Sequence, residues 1–299
     1  MIFDFKGDFH PLPFIECVTT VPFGFVYIPS GNGGFAVNGY NPHIGVKRAL
    51  NALKYEAEFK CFDSGEEALS QLESALKIEP ILIGPVDMGF LTYDPYHKFK
   101  QGSDHYVVAL EVKSNDILVN DPDGYVHVPI PIPDFLEAWK AEAIAYKEGS
   151  YSMWIVKEKL GEESEKELYA KTLSLGLQNL REKEMSRGDF VILTGPEALR
   201  RLAMDIRRNR SHRWIKFYSL STFRVSAQRC FDSSLFIQEA PFQNEDLLKA
   251  SEIRMKQSQL YGQAQLYAAT KRFGKCSQKI LMLSELEKMF IEKLEAGIS

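Results

Sequence analysis

An imidazole and a carboxylate open and close the span Ser103 to Gly124, SDHYVVALEVKSNDILVNDPDG. His105 precedes an apolar run, Tyr106 to Val112. A polar turn at Ser114 to Asp116 leads into a second run, Ile117 to Val119, which ends in Asn120, Asp121 and Pro122. Two β-branched runs joined by a short polar turn predict an antiparallel hairpin. Antiparallel pairing returns Asp121 to the end of the sheet where His105 begins. A histidine held by a carboxylate is the base half of a nucleophilic-catalysis constellation, and it lacks a thiol or hydroxyl. The plain alternatives are a strand-edge histidine bonded to a neighbour and an Asp121 that serves the Asn-Asp-Pro-Asp-Gly turn.

Four cysteines compete for the role of nucleophile: Cys17, Cys61, Cys230 and Cys276. Cys61 follows Lys60 at an expected strand end, and Cys230 and Cys276 belong to a helical region. Cys17 precedes the hairpin at a distance that lets an early helix pack beneath it. Thiol nucleophiles often stand at a helix start, where unpaired N–H groups stabilise the thiolate. Pro22 restricts a helix beginning near Cys17 to a short, kinked or absent one. A lone cysteine among apolar residues is also ordinary core packing.

The elements that must position these groups follow from hydrophobic periodicity. Residues 42–53 and 64–76 predict helices, the second capped by Ser64 with Leu69, Leu72 and Leu76 on one face. A buried strand is expected over 81–86. An edge strand over 126–132, a helix over 135–145 and a strand over 152–156 follow. Helices followed by an antiparallel sheet define an α+β layer fold. The charged run KEKLGEESEKE, Lys157 to Glu167, marks a boundary, so the expected domains are residues 1–158 and 159–299. The second is expected to be all-α, with apolar residues at helical spacing (Ala170, Leu173, Leu177, Leu180; Leu260, Ala264, Tyr267; Leu283, Leu286, Phe290, Leu294) and breaks at Gly188, Gly195-Pro196 and Pro241. The glycine-rich stretch Ser30 to Gly34 lacks the ending of a P-loop and reads as a turn.

Composition excludes several classes. A net charge of -4 over 299 residues predicts no general attraction to nucleic acid or anionic membranes. No apolar run spans a bilayer, and the start lacks signal-peptide character, so a cytoplasmic protein is expected. The cysteines show no CxxC spacing, and His43, His97, His127 and His212 have no ligand-like arrangement. The DPDG turn fails as a calcium loop because Ile132 stands where a bidentate glutamate is needed. Neither metal nor tightly bound cofactor is expected. The one concentrated basic run is RRLAMDIRRNRSHR, Arg200 to Arg213, with Leu199, Leu202, Ala203 and Ile206 as its apolar stripe. Its arginines read as a solvated helix face or as a docking surface for an acidic partner. Apolar faces on the C-terminal helices permit a homodimer.

The order Cys17, His105, Asp121 resembles papain-like cysteine enzymes, in particular the bacteriocin-processing peptidases, in which a His-Tyr-Val-Val strand and an Asp-Pro supply the base and its orienter. A closer likeness is to the butirosin-biosynthesis acyltransferase family. It rests on Gly84, Pro85, Val86 and Asp87, on the aromatic loop Leu91 to Tyr96, and loosely on residues 195–205 and 226–240 of the helical region. The resemblance implies a papain-like catalytic domain and thioester chemistry, with an acyl group passing from a carrier protein or other thioester to Cys17 and then to a small amine. His105 would move the protons, and Asp121 would fix its tautomer. Backbone N–H groups near Cys17 would hold the oxyanion. His10 stands in the region where papain-like enzymes place a glutamine, and Asp87 and Tyr93 join it as oxyanion or substrate candidates. An acyl carrier protein would fit the Arg200 to Arg213 face, being acidic. Hydrolysis by the same triad, as a peptidase or amidase, and a binding protein that has lost the chemistry are the alternatives.

Overall fold

The computed structural model describes residues 1–31, 33–39, 41–181, 185–187, 190–208 and 212–299. It is an α+β protein with antiparallel sheets and a helical C-terminal region. The chain divides into two compact units, one of residues 1–10 and 53–162, the other of residues 11–52 and 163–299. The boundary thus falls at Glu162, within the charged run, four positions beyond the expected 158. The larger departure from the expected division is that residues 11–52, Cys17 included, belong with the C-terminal helices.

The first unit is built on a six-stranded sheet. Its strands run Tyr55–Lys60, Met153–Lys159, Ile81–Asp87, Asp104–Val112, Asp116–Asp121 and Tyr125–Pro131 in spatial order, each antiparallel to its neighbours. The prolines of Tyr125–Pro131 are accommodated because that strand lies at an edge. Alternation sets the faces: Val107 and Ala109 in one strand and Ile117 and Val119 in the next are fully buried. They pack with Leu72 of the helix Gly65–Leu76 and with Phe135 and Trp139 of the helix Ile132–Lys140. Ser64 caps the former by accepting from the Glu67 N–H at 3.2 Å. The latter begins at Ile132 and stops at Lys140, where Ala141 turns left-handed (φ 51°), earlier at both ends than the 135–145 expected.

The second unit is not all-α. Gly33–Val37, Val26–Ser30, Phe190–Thr194 and Met185–Arg187 form a four-stranded antiparallel sheet, in that order. The last two strands fall in a region read as helical, and Gly188 lies outside the described residues. The partner of Phe190–Thr194 is supplied from far away in sequence, with Val26 opposite Thr194 and Tyr27 opposite Leu193, so no local periodicity announces the pairing. The glycine-rich stretch is indeed a hairpin connection, with Ser30 opposite Gly33.

Around this sheet stand the helices Pro42–Ala52, Glu165–Arg181, Gly195–Arg208, Phe223–Glu239, Glu245–Ala269 and Phe273–Ile298. Phe25 and Tyr27 from the N-terminal segment enter the same core as Leu199, Tyr218, Phe223, Tyr261 and Ile280. That shared burial is the physical reason residues 11–52 fold with the helices. Among the described residues, no helix is long and apolar enough to cross a membrane.

Candidate functional site

The hairpin brings His105 and Asp121 together. Val108 pairs with Asn120 and Ala109 with Val119. Continuing that register by one residue sets Asp121 opposite Val107, on the same face as His105 and diagonal to it. His105 Nε2 lies 2.6 Å from Asp121 Oδ1. The other oxygen, Oδ2, accepts the Tyr93 hydroxyl at 2.7 Å, and the Asp123 backbone N–H donates to Oδ1 at 2.6 Å. The carboxylate is therefore fixed from three sides.

The electrostatics match the geometry. Burial disfavours a charged imidazole at His105, but the hydrogen bond and charge of Asp121, aided by Asp123, outweigh it and raise its pKa above 6.5. Burial likewise opposes ionisation of Asp121, yet His105, Tyr93 and the Asp123 N–H hold its pKa below 3.8. Burial, followed by the charge of Asp121, pushes the Tyr93 phenol far up, so Tyr93 remains a proton donor to the carboxylate. Lys100 sits between Asp94 (2.7 Å) and Asp123 (3.0 Å), supporting the loop behind the pair.

Sequence reasoning paired His105 with Asp121 and named Tyr93 only as an oxyanion or substrate candidate, not as the donor to Asp121 that it is, and it missed Lys100 and Asp123. The signal was present in the DPYHKFK and DPDG turns, which carry opposite charges on either side of the histidine. Asp87 is buried at the end of the strand Ile81–Asp87. Its Oδ1 accepts from the N–H groups of Gly89 (2.7 Å) and Gly102 (2.9 Å), tying down the aromatic loop. His10 Nε2 lies 3.1 Å from Asp8 Oδ1.

Cys17 is placed in the second unit. It is fully buried near the C-terminal end of the short helix Leu12–Val18, which stops before Pro22. A start-of-helix activation of this thiol is therefore replaced by the opposite arrangement, with Cys17 at the wrong pole of the helix to gain from unpaired N–H groups. Burial, with Glu16 and Asp232 nearby, holds the thiol protonated well above its ordinary range, and Arg254 opposes this in part. The helix Gly195–Arg208 buries Leu199, Leu202, Ala203 and Ile206 as its stripe predicts. Arg200 pairs with Glu197 and Glu285, Arg201 pairs with Asp205, and Arg207 and Arg208 are exposed. Of the run's other two arginines, Arg210 lies outside the described residues and Arg213 is exposed. No group of three or more metal-ligating side chains occurs among the described residues.

Comparison with known proteins gives relatives without a described activity. Residues 191–295 match a family described as the YobF C-terminal domain. Over 286 residues the chain is 28% identical to a Bacillus subtilis (strain 168) protein described as uncharacterized protein YobF, covering 95% of this chain and 90% of that protein. The similarity thus extends over both units.

Proposed function

We propose that the chain catalyses acyl transfer through a thiol, from a thioester donor to a small amine, with His105 as base and acid. The observation that carries this reading is the 2.6 Å contact between His105 Nε2 and Asp121 Oδ1, reinforced by Tyr93. Because Asp121 occupies Nε2, proton transfer falls to Nδ1. The thiol is the one that sequence order assigns, Cys17. A papain-like catalytic fold is part of the same reading.

In the first half-reaction the thiol sulfur attacks the thioester carbonyl as its proton passes to a general base. The donor C–S bond breaks, and the departing thiol takes that proton. In the second, the amine attacks the acyl-cysteine, and the proton it loses is carried by the base to the released cysteine sulfur. The high thiol pKa makes this general-base catalysis rather than attack by a standing thiolate. A carrier protein is the proposed bearer of the donor, with Arg207 and Arg208 available to its acidic surface. Water in place of the amine would make the same chemistry hydrolysis.

One observation favours a second reading, a binding protein without chemistry: Cys17 is fully buried. The two readings separate on thiol release from a panel of acyl thioesters with and without amines. Acyl transfer predicts release that amines accelerate, and that rises with pH through the elevated His105 pKa as the base becomes neutral. His105→Ala should lower the rate by roughly 10²–10⁴-fold. Release unaffected by either His105→Ala or Cys17→Ala would refute the proposal.

A further inference from the structure

The helical unit contains a charged side chain whose hydrogen-bonding capacity is only half used. Arg254, on the helix Glu245–Ala269, is fully buried. Its Nη1 donates to Gln257 Oε1 at 3.0 Å and to Glu287 Oε2 at 3.2 Å. The guanidinium lies over the Phe290 ring, 3.7 Å from its centroid. Nε and Nη2, by contrast, have no hydrogen-bond partner among the described residues. These two nitrogens carry the parallel N–H groups of one guanidinium edge, the fork that matches the two oxygens of a carboxylate. Two acceptors of the same cluster are also unpartnered: Glu287 Oε1 and Asn38 Oδ1, whose Nδ2 lies 4.0 Å from Cys230 Sγ, itself 3.8 Å from Arg254 Nη1.

We infer that this cluster is a binding site for a small amino acid, whose carboxylate takes the Nε and Nη2 fork of Arg254 and whose amino group donates to Glu287 Oε1 and Asn38 Oδ1. Charge argues for this class over a simple carboxylic acid. Arg254 and Glu287 already balance one another, so an anion alone would bury an uncompensated charge, whereas a zwitterion adds none. Leaving a buried N–H without an acceptor is costly, so a ligand whose two oxygens meet both N–H groups of this edge gains what the protein's own groups do not supply. The inference concerns binding and does not rest on the acyl-transfer reading.

The test is a titration of the whole chain with glycine, and with acetate and methylammonium as half-ligands, observed through arginine Nε–H resonances and thermal melting. Glycine should shift one exchange-protected arginine Nε–H saturably and raise Tm beyond an equal concentration of sodium chloride. Acetate should bind at least about tenfold more weakly, the worth of one charge-assisted hydrogen bond, and methylammonium should have no effect. Arg254→Lys, which keeps the charge and loses the fork, should abolish the glycine response. Glu287→Gln should weaken glycine more than acetate. An Arg254 Nε–H that is protected but insensitive to glycine, with no gain in Tm, would assign the fork to water and overturn the inference. That wild-type result decides the matter even if neither variant folds.

Discussion

Replacing Asp121 by asparagine should reverse the sign of the His105 pKa shift. In the native protein, burial alone would depress the imidazole below 6.5, and the Asp121 hydrogen bond and charge more than compensate. Asparagine keeps the size and an oxygen but removes the charge. A hydrogen bond to a charged group contributes about 1.5–3 kcal/mol against about 0.5–1.5 kcal/mol for a neutral one, so with the charge gone burial should take the imidazole pKa below 6.5.

The stability curve should invert with it. The native His105 has a folded pKa above its unfolded value. Its contribution is fully present below pH 6.5 and is lost as pH rises through the folded pKa. Asp121, depressed in the folded state, contributes above 3.8 and is lost as pH falls through its folded pKa. The pair is therefore most stabilising between those two ordinary values. In Asp121→Asn, with the folded pKa below 6.5, the folded state binds fewer protons than the unfolded one, so stability should rise with pH in the window just below 6.5, whereas the native contribution falls in the window above 6.5. The assay is an NMR titration of the His105 ring paired with urea unfolding across the same pH range. A His105 pKa that stays above 6.5 in the asparagine variant would refute the assignment of Asp121 as its dominant partner.

Three further outcomes follow from named contacts. Tyr93→Phe removes the 2.7 Å hydrogen bond to Asp121 Oδ2 and should raise the Asp121 pKa, with about 1 kcal/mol lost in urea unfolding at neutral pH. Glu287→Ala leaves the fully buried Arg254 charge without its carboxylate and should cost about 3–5 kcal/mol by the same measurement. Gly33→Ala should lose about 1–3 kcal/mol, since an added Cβ would lie 2.2 Å from Trp214 Cδ1 in the four-stranded sheet and the indole would have to move.

What the sequence made legible was local. The hairpin from Asp104 to Asp121 follows from two alternating runs and a polar turn, and once its register is set the His105 and Asp121 contact follows. Helix capping at Ser64 and the apolar stripe of Gly195–Arg208 were readable for the same reason. The fold of residues 11–52 with the C-terminal helices was not, because it depends on Tyr27 pairing with Leu193 across most of the chain. Met185–Arg187 and Phe190–Thr194 escaped notice as strands because short runs carry little periodic signal. Arg254 left a trace that was overlooked: Ala250, Arg254, Gln257 and Tyr261 recur at the spacing of one buried helix face, and all four are buried. A charged residue on an apolar stripe is the informative exception in such a pattern.

The most direct measurement is the intact mass of the protein after incubation with acyl thioesters, followed by peptide mapping, in the native chain and in Cys17→Ala and His105→Ala. Acyl transfer through a thiol predicts a covalent adduct on Cys17 that Cys17→Ala abolishes, that His105→Ala forms far more slowly, and that an added amine discharges. An adduct mapped to another residue, or none with any donor while Cys17 also resists iodoacetamide at neutral pH, would contradict it.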